Sequence, residues 1–250
     1  MGTMRGRGWL VGVVIAIAAP AHAAVVRGTV FVDADGDGRR GLDEAIVPGA
    51  VVAWRERWFT LTDASGSYAL EVGAGEAGEV WVRVPDGYRP GPVWKPVRAA
   101  VGAVADLPLV PLTAAERDRP LRFVVASDAH MQGDDALWTA RELGAALVQA
   151  TALDPPPRFL TILGDLTQDN RDPQFVQLDA ALAEVTTPWV PVPGNHDWYD
   201  GGGAYRRHYG PSSYSFDTGG VHVVVWNASL AEDALLAFLA ADAARVDPAM

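Results

Sequence analysis

Three short stretches hold side chains whose types and order suit metal-assisted hydrolysis: Asp128-Ala129-His130, Gly164-Asp165, and Gly194-Asn195-His196-Asp197. On an extended chain, residues two apart point the same way, so Asp128 and His130 are expected side by side, offering an oxygen and a nitrogen to one cation. Asp165 follows a glycine that lets the backbone bend closely past a site, and its two carboxylate oxygens can bridge two cations. Asn195 and His196 are adjacent and diverge, so one can ligate while the other faces a substrate and handles a proton.

Positioning such residues requires an element before each stretch, and the chain supplies one. Leu121 to Ser127, Phe159 to Leu163 and Trp189 to Pro193 are apolar runs of buried-strand length, and the segments between them carry helical spacing. Strand, helix, strand, helix, strand implies a parallel sheet, in which polar groups gather in the loops beyond the carboxyl ends of the strands. Leu137, Ala140, Leu143 and Leu147 give the first helix one apolar face. Phe175, Leu178, Leu182 and Val185 do the same for the second, with Asp172 expected as its cap and Pro173 in its first turn. Tyr214 to Phe216 and Val221 to Trp226 read as a hairpin around Gly219-Gly220, followed by a helix over Glu232 to Val246.

In order and spacing, the three stretches resemble the calcineurin-like metallophosphoesterase superfamily. Its Asp-x-His, Gly-Asp-x-x-x-Asp/Asn and Gly-Asn-His-Asp/Glu blocks stand here as Asp128 to His130, Gly164 to Asp169 and Gly194 to Asp197. The resemblance implies that Asp128 and His130 bind a first metal, Asp165 bridges two, Asn195 binds the second, and His196 assists departure of the leaving group. It implies an α/β fold, a four-layer αββα sandwich of two facing sheets with helices outside. Two divalent ions are implied, and imidazole, carboxylate and amide ligands suit Mn, Fe, Zn or Ni. Gln168 stands where the purple members carry a tyrosine ligand, which argues against a tyrosinate-bound ferric ion. The superfamily supplies further histidines downstream, whereas here only His208 and His222 follow. The catalytic domain, 121–250, is therefore expected to be partial and truncated, and its hydrolysis of phosphate mono- or diesters impaired.

Residues 24–112 have a different texture, with short β-branched runs between glycine-rich turns. Val25 to Val32, Ala50 to Trp54, Ser67 to Val72 and Glu79 to Val84 are expected strands of a small all-β sandwich. Gly28 to Asp33 and Thr62 to Leu70 resemble β-sandwich modules of bacterial surface and secreted proteins, of a type that can precede a calcineurin-like phosphoesterase domain. Within this region Asp33, Asp35 and Asp37, with Gly38 and the later Glu44, have the spacing of a calcium loop. No amphipathic helix flanks it and Arg40 replaces an apolar position, so the expectation is a strand-borne structural calcium site. Residues 113–120, between Leu112 and Leu121, read as a linker.

Arg5 and Arg7, the apolar run Leu10 to Ala19 and Ala21-His22-Ala23 read as a signal peptide over 1–23, which implies a periplasmic or secreted protein without a membrane span once it is removed. The absence of cysteine excludes disulfides and thiolate metal sites, and the net charge of -11 argues against a nucleic-acid-binding surface. Nothing in the sequence specifies an oligomer. The phosphate ester is the expected partner, and the alternative is a non-catalytic secreted binding module with a calcium-stabilised β-sandwich.

Overall fold

The computed structural model describes residues 23–133 and 137–246, with the backbone alone at 23 and 137–139; the signal peptide reading lies almost wholly outside the described residues. Chain order begins with seven strands: β1 (Ala23–Val32), β2 (Val51–Trp54), β3 (Trp58–Leu61), β4 (Ser67–Gly73), β5 (Ala77–Val82), β6 (Val93–Arg98) and β7 (Leu107–Leu109). They form two sheets, ordered β4-β1-β7 and β3-β2-β5-β6. The alternation in β4 sets the pattern: Tyr68, Leu70 and Val72 are buried while Ala69 and Glu71 face out. Val26 and Val30 from one sheet share an apolar interior with Val52, Trp54, Val80 and Val82 from the other. The four expected strands are present, and β3, β6 and β7 are additional. Pro96 in β6 and Pro108 in β7 weaken the sequence signal, yet both strands lie at sheet edges, where a missing N–H breaks no ladder.

The stretch read as a linker holds the short helix α1 (Ala114–Arg117), with a reciprocal capping box between Thr113 and Glu116. Then come β8 (Phe123–Ser127), α2 (Leu137–Thr151), β9 (Phe159–Leu163), α3 (Asp172–Leu182), β10 (Trp189–Val192), α4 (Gly203–Tyr209), β11 (Tyr214–Thr218), β12 (Val221–Val225) and α5 (Glu232–Ala243). Strands β8, β9 and β10 make a parallel sheet with β9 in the centre, as their apolar runs imply. One face of it, through Leu160 and Ile162, packs with Leu147 of α2 and Phe175, Leu178 and Leu182 of α3. The other face turns Phe159 and Val190 toward the β11-β12 hairpin, where Phe216 meets Phe159 edge-on at 5.4 Å. Asp172 is the first residue of α3 and not its cap: Arg171 holds that position, and the Gln174 side-chain carbonyl accepts its N–H.

The apolar interior of the N-terminal sheets continues into the second half of the chain through Tyr214, Phe216, Val225 and Phe238. Polar contacts follow the same seam. Val84 accepts the Asp217 N–H at 2.8 Å, and the Asp86 carboxylate accepts those of Gly219 and Gly220 at 3.0 and 2.8 Å. Arg83 is buried against Asp242 at 2.7 Å, and Arg206 reaches Glu56 and Glu79. Phe123, Val125 and Leu163, by contrast, are 54%, 52% and 48% exposed, so the hairpin leaves part of the parallel sheet open on the β8 side. Among the described residues no helix is long and apolar enough to cross a membrane.

Candidate metal centre

The loops following β8, β9 and β10 lie side by side at the carboxyl end of the parallel sheet. Backbone bonds continue the sheet past its strands: Asp128 N–H donates to Gly164 O at 3.2 Å, His130 N–H to Asp165 O at 2.8 Å, and Met131 N–H to Leu166 O at 3.0 Å. Asp128, His130, Gly164 and Asp165 all have left-handed backbones, with φ of 56°, 43°, 71° and 48°. The extended geometry expected for Asp128-x-His130 therefore does not hold. The strand ends at Ser127, and two left-handed residues turn the side chains instead. The third loop approaches so closely that a Cβ on Gly194 would lie 2.1 Å from Asp165 Oδ1 and 2.2 Å from its backbone nitrogen. Only glycine fits there.

These loops gather His130, Asp165 and His196, each with one ligating atom within 4.8 Å of the others. His130 Nε2 lies 3.6 Å from Asp165 Oδ2 and 4.0 Å from Asp128 Oδ1. Both distances exceed a hydrogen bond but fall within the span of two ligand atoms on one ion with bonds of about 2.1 Å. The donor set thus fits a divalent cation of the borderline class. Asp165 Oδ1 accepts the backbone N–H of His196 at 3.1 Å, which leaves Oδ2 turned toward His130. Asp128 is largely exposed, and Asn195 is exposed at the start of the single 3-10 turn His196–Trp198. The rings of His130 and His196 stand edge-on, 4.7 Å apart, and Tyr199 lies 4.8 Å from His196.

Two residues outside the expected ligand set hold the centre together. Asp197, fully buried, accepts hydrogen bonds from Leu166 N–H, Thr167 N–H, Thr167 Oγ1 and Gly194 N–H. Burial raises its carboxyl pKa above the usual range, and those four donors oppose the rise. Gln168 touches both histidines: its Oε1 is 3.0 Å from His130 Nδ1, and its backbone oxygen is 2.7 Å from His196 Nδ1. Asp197 was visible in the sequence as the last residue of its block, but nothing there signalled that its role is structural. Gln168 carried no positive signal, because its contacts depend on the path of the loop.

Asp169 pairs with Arg171 at 3.5 Å and Gln174 at 3.3 Å, outside the cluster. His208 stacks on Phe175 and pairs with Asp172 at 3.2 Å. His222 is clamped between Asp217 and Asp242 at 2.6 and 2.7 Å, contacts that raise its pKa to about 9 against the effect of burial. Far from this centre in sequence, Asp33, Asp35 and Asp37 also bring one oxygen each within 4.8 Å of the others. Glu44 folds over the same loop, taking the N–H groups of Ala34 and Gly41 at 2.9 and 2.8 Å.

The fold is a mixed α/β arrangement with a histidine and carboxylate cluster, of a kind that could hold a metal ion, at the ends of parallel strands. Residues 121–234 match the family model of calcineurin-like phosphoesterases. The match includes every residue of the cluster. No curated protein matches the chain.

Proposed function

We propose that this protein is an exported, dinuclear-metal-dependent hydrolase of phosphate mono- or diesters. The observation that carries the reading is the convergence of His130, Asp165 and His196 to within 4.8 Å at the carboxyl ends of β8, β9 and β10. Asp128 and His130 would hold a first metal, Asn195 a second, and Asp165 would serve both. A pair of bound divalent ions supplies Lewis acidity toward the phosphoryl oxygens and lowers the pKa of water for in-line attack. The residues do the rest. His196, with Nδ1–H directed at the Gln168 carbonyl, would act in its imidazolium form, handing the Nε2 proton to the departing oxygen and returning to the neutral ring protonated at Nδ1. Asp165 is oriented by the His196 N–H, and the exposed Tyr199 ring beside His196 forms a wall for the leaving group.

Helices α2 and α3 on one side of the parallel sheet, with the hairpin and α5 on the other, support a partial four-layer αββα arrangement. His208 and His222 are engaged elsewhere, which supports low turnover by this chain. The Asp33, Asp35, Asp37 and Glu44 loop is proposed to hold a structural calcium ion, tested by whether chelation lowers the melting temperature. Residues 1–23 are proposed to direct export.

The decisive experiment measures Mn2+ uptake and turnover of bis(p-nitrophenyl) phosphate and p-nitrophenyl phosphate by the purified protein. Slow, EDTA-sensitive hydrolysis that Asp165→Ala abolishes is expected. Failure to bind Mn2+, or hydrolysis that persists in EDTA and in Asp165→Ala, refutes the assignment.

A further inference from the structure

Gln168 presents two carbonyl oxygens, and each meets a different ring. Its backbone oxygen lies 2.7 Å from His196 Nδ1 and its side-chain Oε1 lies 3.0 Å from His130 Nδ1. A carbonyl oxygen only accepts, so each Nδ1 carries the hydrogen, and in a neutral imidazole the other nitrogen then keeps its lone pair. For His130 that other nitrogen is Nε2, the atom facing Asp165 Oδ2 at 3.6 Å and Asp128 Oδ1 at 4.0 Å. The loop that carries Gln168 is itself fixed to the loop that carries His130. Gln168 N–H donates to Met131 O at 3.0 Å, Met131 N–H donates to Leu166 O at 3.0 Å, and the Met131 side chain is fully buried.

We propose that Gln168 is the positioning residue of the metal centre: its side-chain carbonyl sets the tautomer and ring direction of His130, while its backbone carbonyl does so independently for His196. The proposal rests on the reading of this cluster as a metal centre. Partners behind a ligating histidine fix its ring and raise its affinity for metal. The division between side chain and backbone has a consequence that simple space-filling lacks. Replacing the side chain frees one ring and leaves the other held.

The test uses nitrogen-15 NMR of the histidine rings in the metal-free protein at mildly alkaline pH, together with calorimetric titration of Mn2+. In the unmodified protein both rings are expected to carry hydrogen at Nδ1. In Gln168→Met, which keeps the length and removes the acceptor, His130 loses that preference and His196 retains it. Mn2+ affinity falls by roughly 10- to 100-fold. Gln168→Glu, which restores an acceptor oxygen, recovers the His130 tautomer. Gln168→Asn, one methylene too short, behaves like Gln168→Met and serves if that variant does not fold. An unchanged His130 ring and Mn2+ affinity in Gln168→Met overturns the inference, as does loss of both ring preferences together. If the unmodified protein takes up no Mn2+, the metal centre is refuted and the proposed role falls with it, whatever the rings show.

Discussion

Replacing Asp197 with asparagine tests how the centre is held. Oδ1 of Asp197 accepts from Thr167 N–H at 2.8 Å and Thr167 Oγ1 at 2.7 Å, and Oδ2 accepts from Leu166 N–H and Gly194 N–H, each at 2.9 Å. All four partners lie on the loops that carry Asp165, Asn195 and His196. Asparagine has the same shape, but whichever way its amide turns, the NH2 faces two donors, at least one of them a backbone N–H. In the better orientation the NH2 faces Thr167, whose hydroxyl can turn to accept it, so one hydrogen bond from a backbone N–H to a charged acceptor is lost, about 1.5–3 kcal/mol, and that buried N–H, left without a partner, costs about 1–3 kcal/mol more. Relief from burying a charge offsets part of this, so the net loss is about 3 kcal/mol. Urea unfolding of the metal-free protein reads it directly: with a slope near 3 kcal/mol per molar urea for a chain of this size, the midpoint falls by about 1 M. A loss below about 1 kcal/mol would refute the reasoning. It would mean that the carboxyl, whose pKa burial already raises, is protonated and that the amide imitates it.

Gly194→Ala places a Cβ 2.1 Å from Asp165 Oδ1, so Mn2+ binding by calorimetry is expected to be lost and stability to drop by about 1–3 kcal/mol. Arg83→Ala removes one of the two basic partners of the buried Asp242, at 2.7 Å, and leaves His222 at 2.7 Å, so chemical denaturation should show a loss of about 1.5–3 kcal/mol. The pKa of His222 is raised in the folded protein from 6.5 to about 9, chiefly by its hydrogen bonds with Asp217 and Asp242. The charged ring therefore adds stability that is complete below pH 6.5 and lost as pH rises through about 9; the melting temperature should fall across that window in the unmodified protein and much less in His222→Gln. Asp128→Gly removes a proposed ligand at a position with φ 56°, whose backbone conformation favours glycine. Mn2+ affinity should fall at least about tenfold while metal-free stability stays within about 1 kcal/mol, because relief of the left-handed conformation and added unfolded-state entropy oppose each other.

What the sequence made legible was set by the range of the interactions involved. Strands β8, β9 and β10 were readable from short, mainly apolar runs, and in the central strand Phe159 to Ile162 are buried, with Thr161 satisfied by the Val190 carbonyl. The apolar face of α3 was readable from spacing alone, and Phe175, Leu178 and Leu182 are all buried. Strands β6 and β7 were hidden by Pro96 and Pro108, residues whose tolerance depends on an edge position that only the assembled sheet defines. The seam between the two halves was hidden for a related reason. Arg83 and Asp242 are separated by 159 positions, and neither residue announces the other.

The left-handed residues carry this distinction into the site itself. Among the described residues, five non-glycine residues have positive φ; Asp128, His130 and Asp165 are three of them, and Asn170 follows shortly after in the same loop as Asp165. Such conformations cost on the order of 1–3 kcal/mol each and persist only where surrounding contacts over-determine them. Here those contacts are the backbone bonds from Asp128 to Gly164 and from His130 to Asp165, together with the Asp197 carboxylate below them. The blocks Asp-x-His and Gly-Asp name which atoms are available to a cation. The strain decides where those atoms point, and it is sustained by Asp197, Gly194 and Gln168, residues that carry no ligand of their own. A ligand that binds the folded chain and not the unfolded one offsets that cost by mass action. The same strain that lowers the stability of the metal-free protein is therefore what brings the His130 and Asp165 side chains to face each other, within reach of a common ion if one binds.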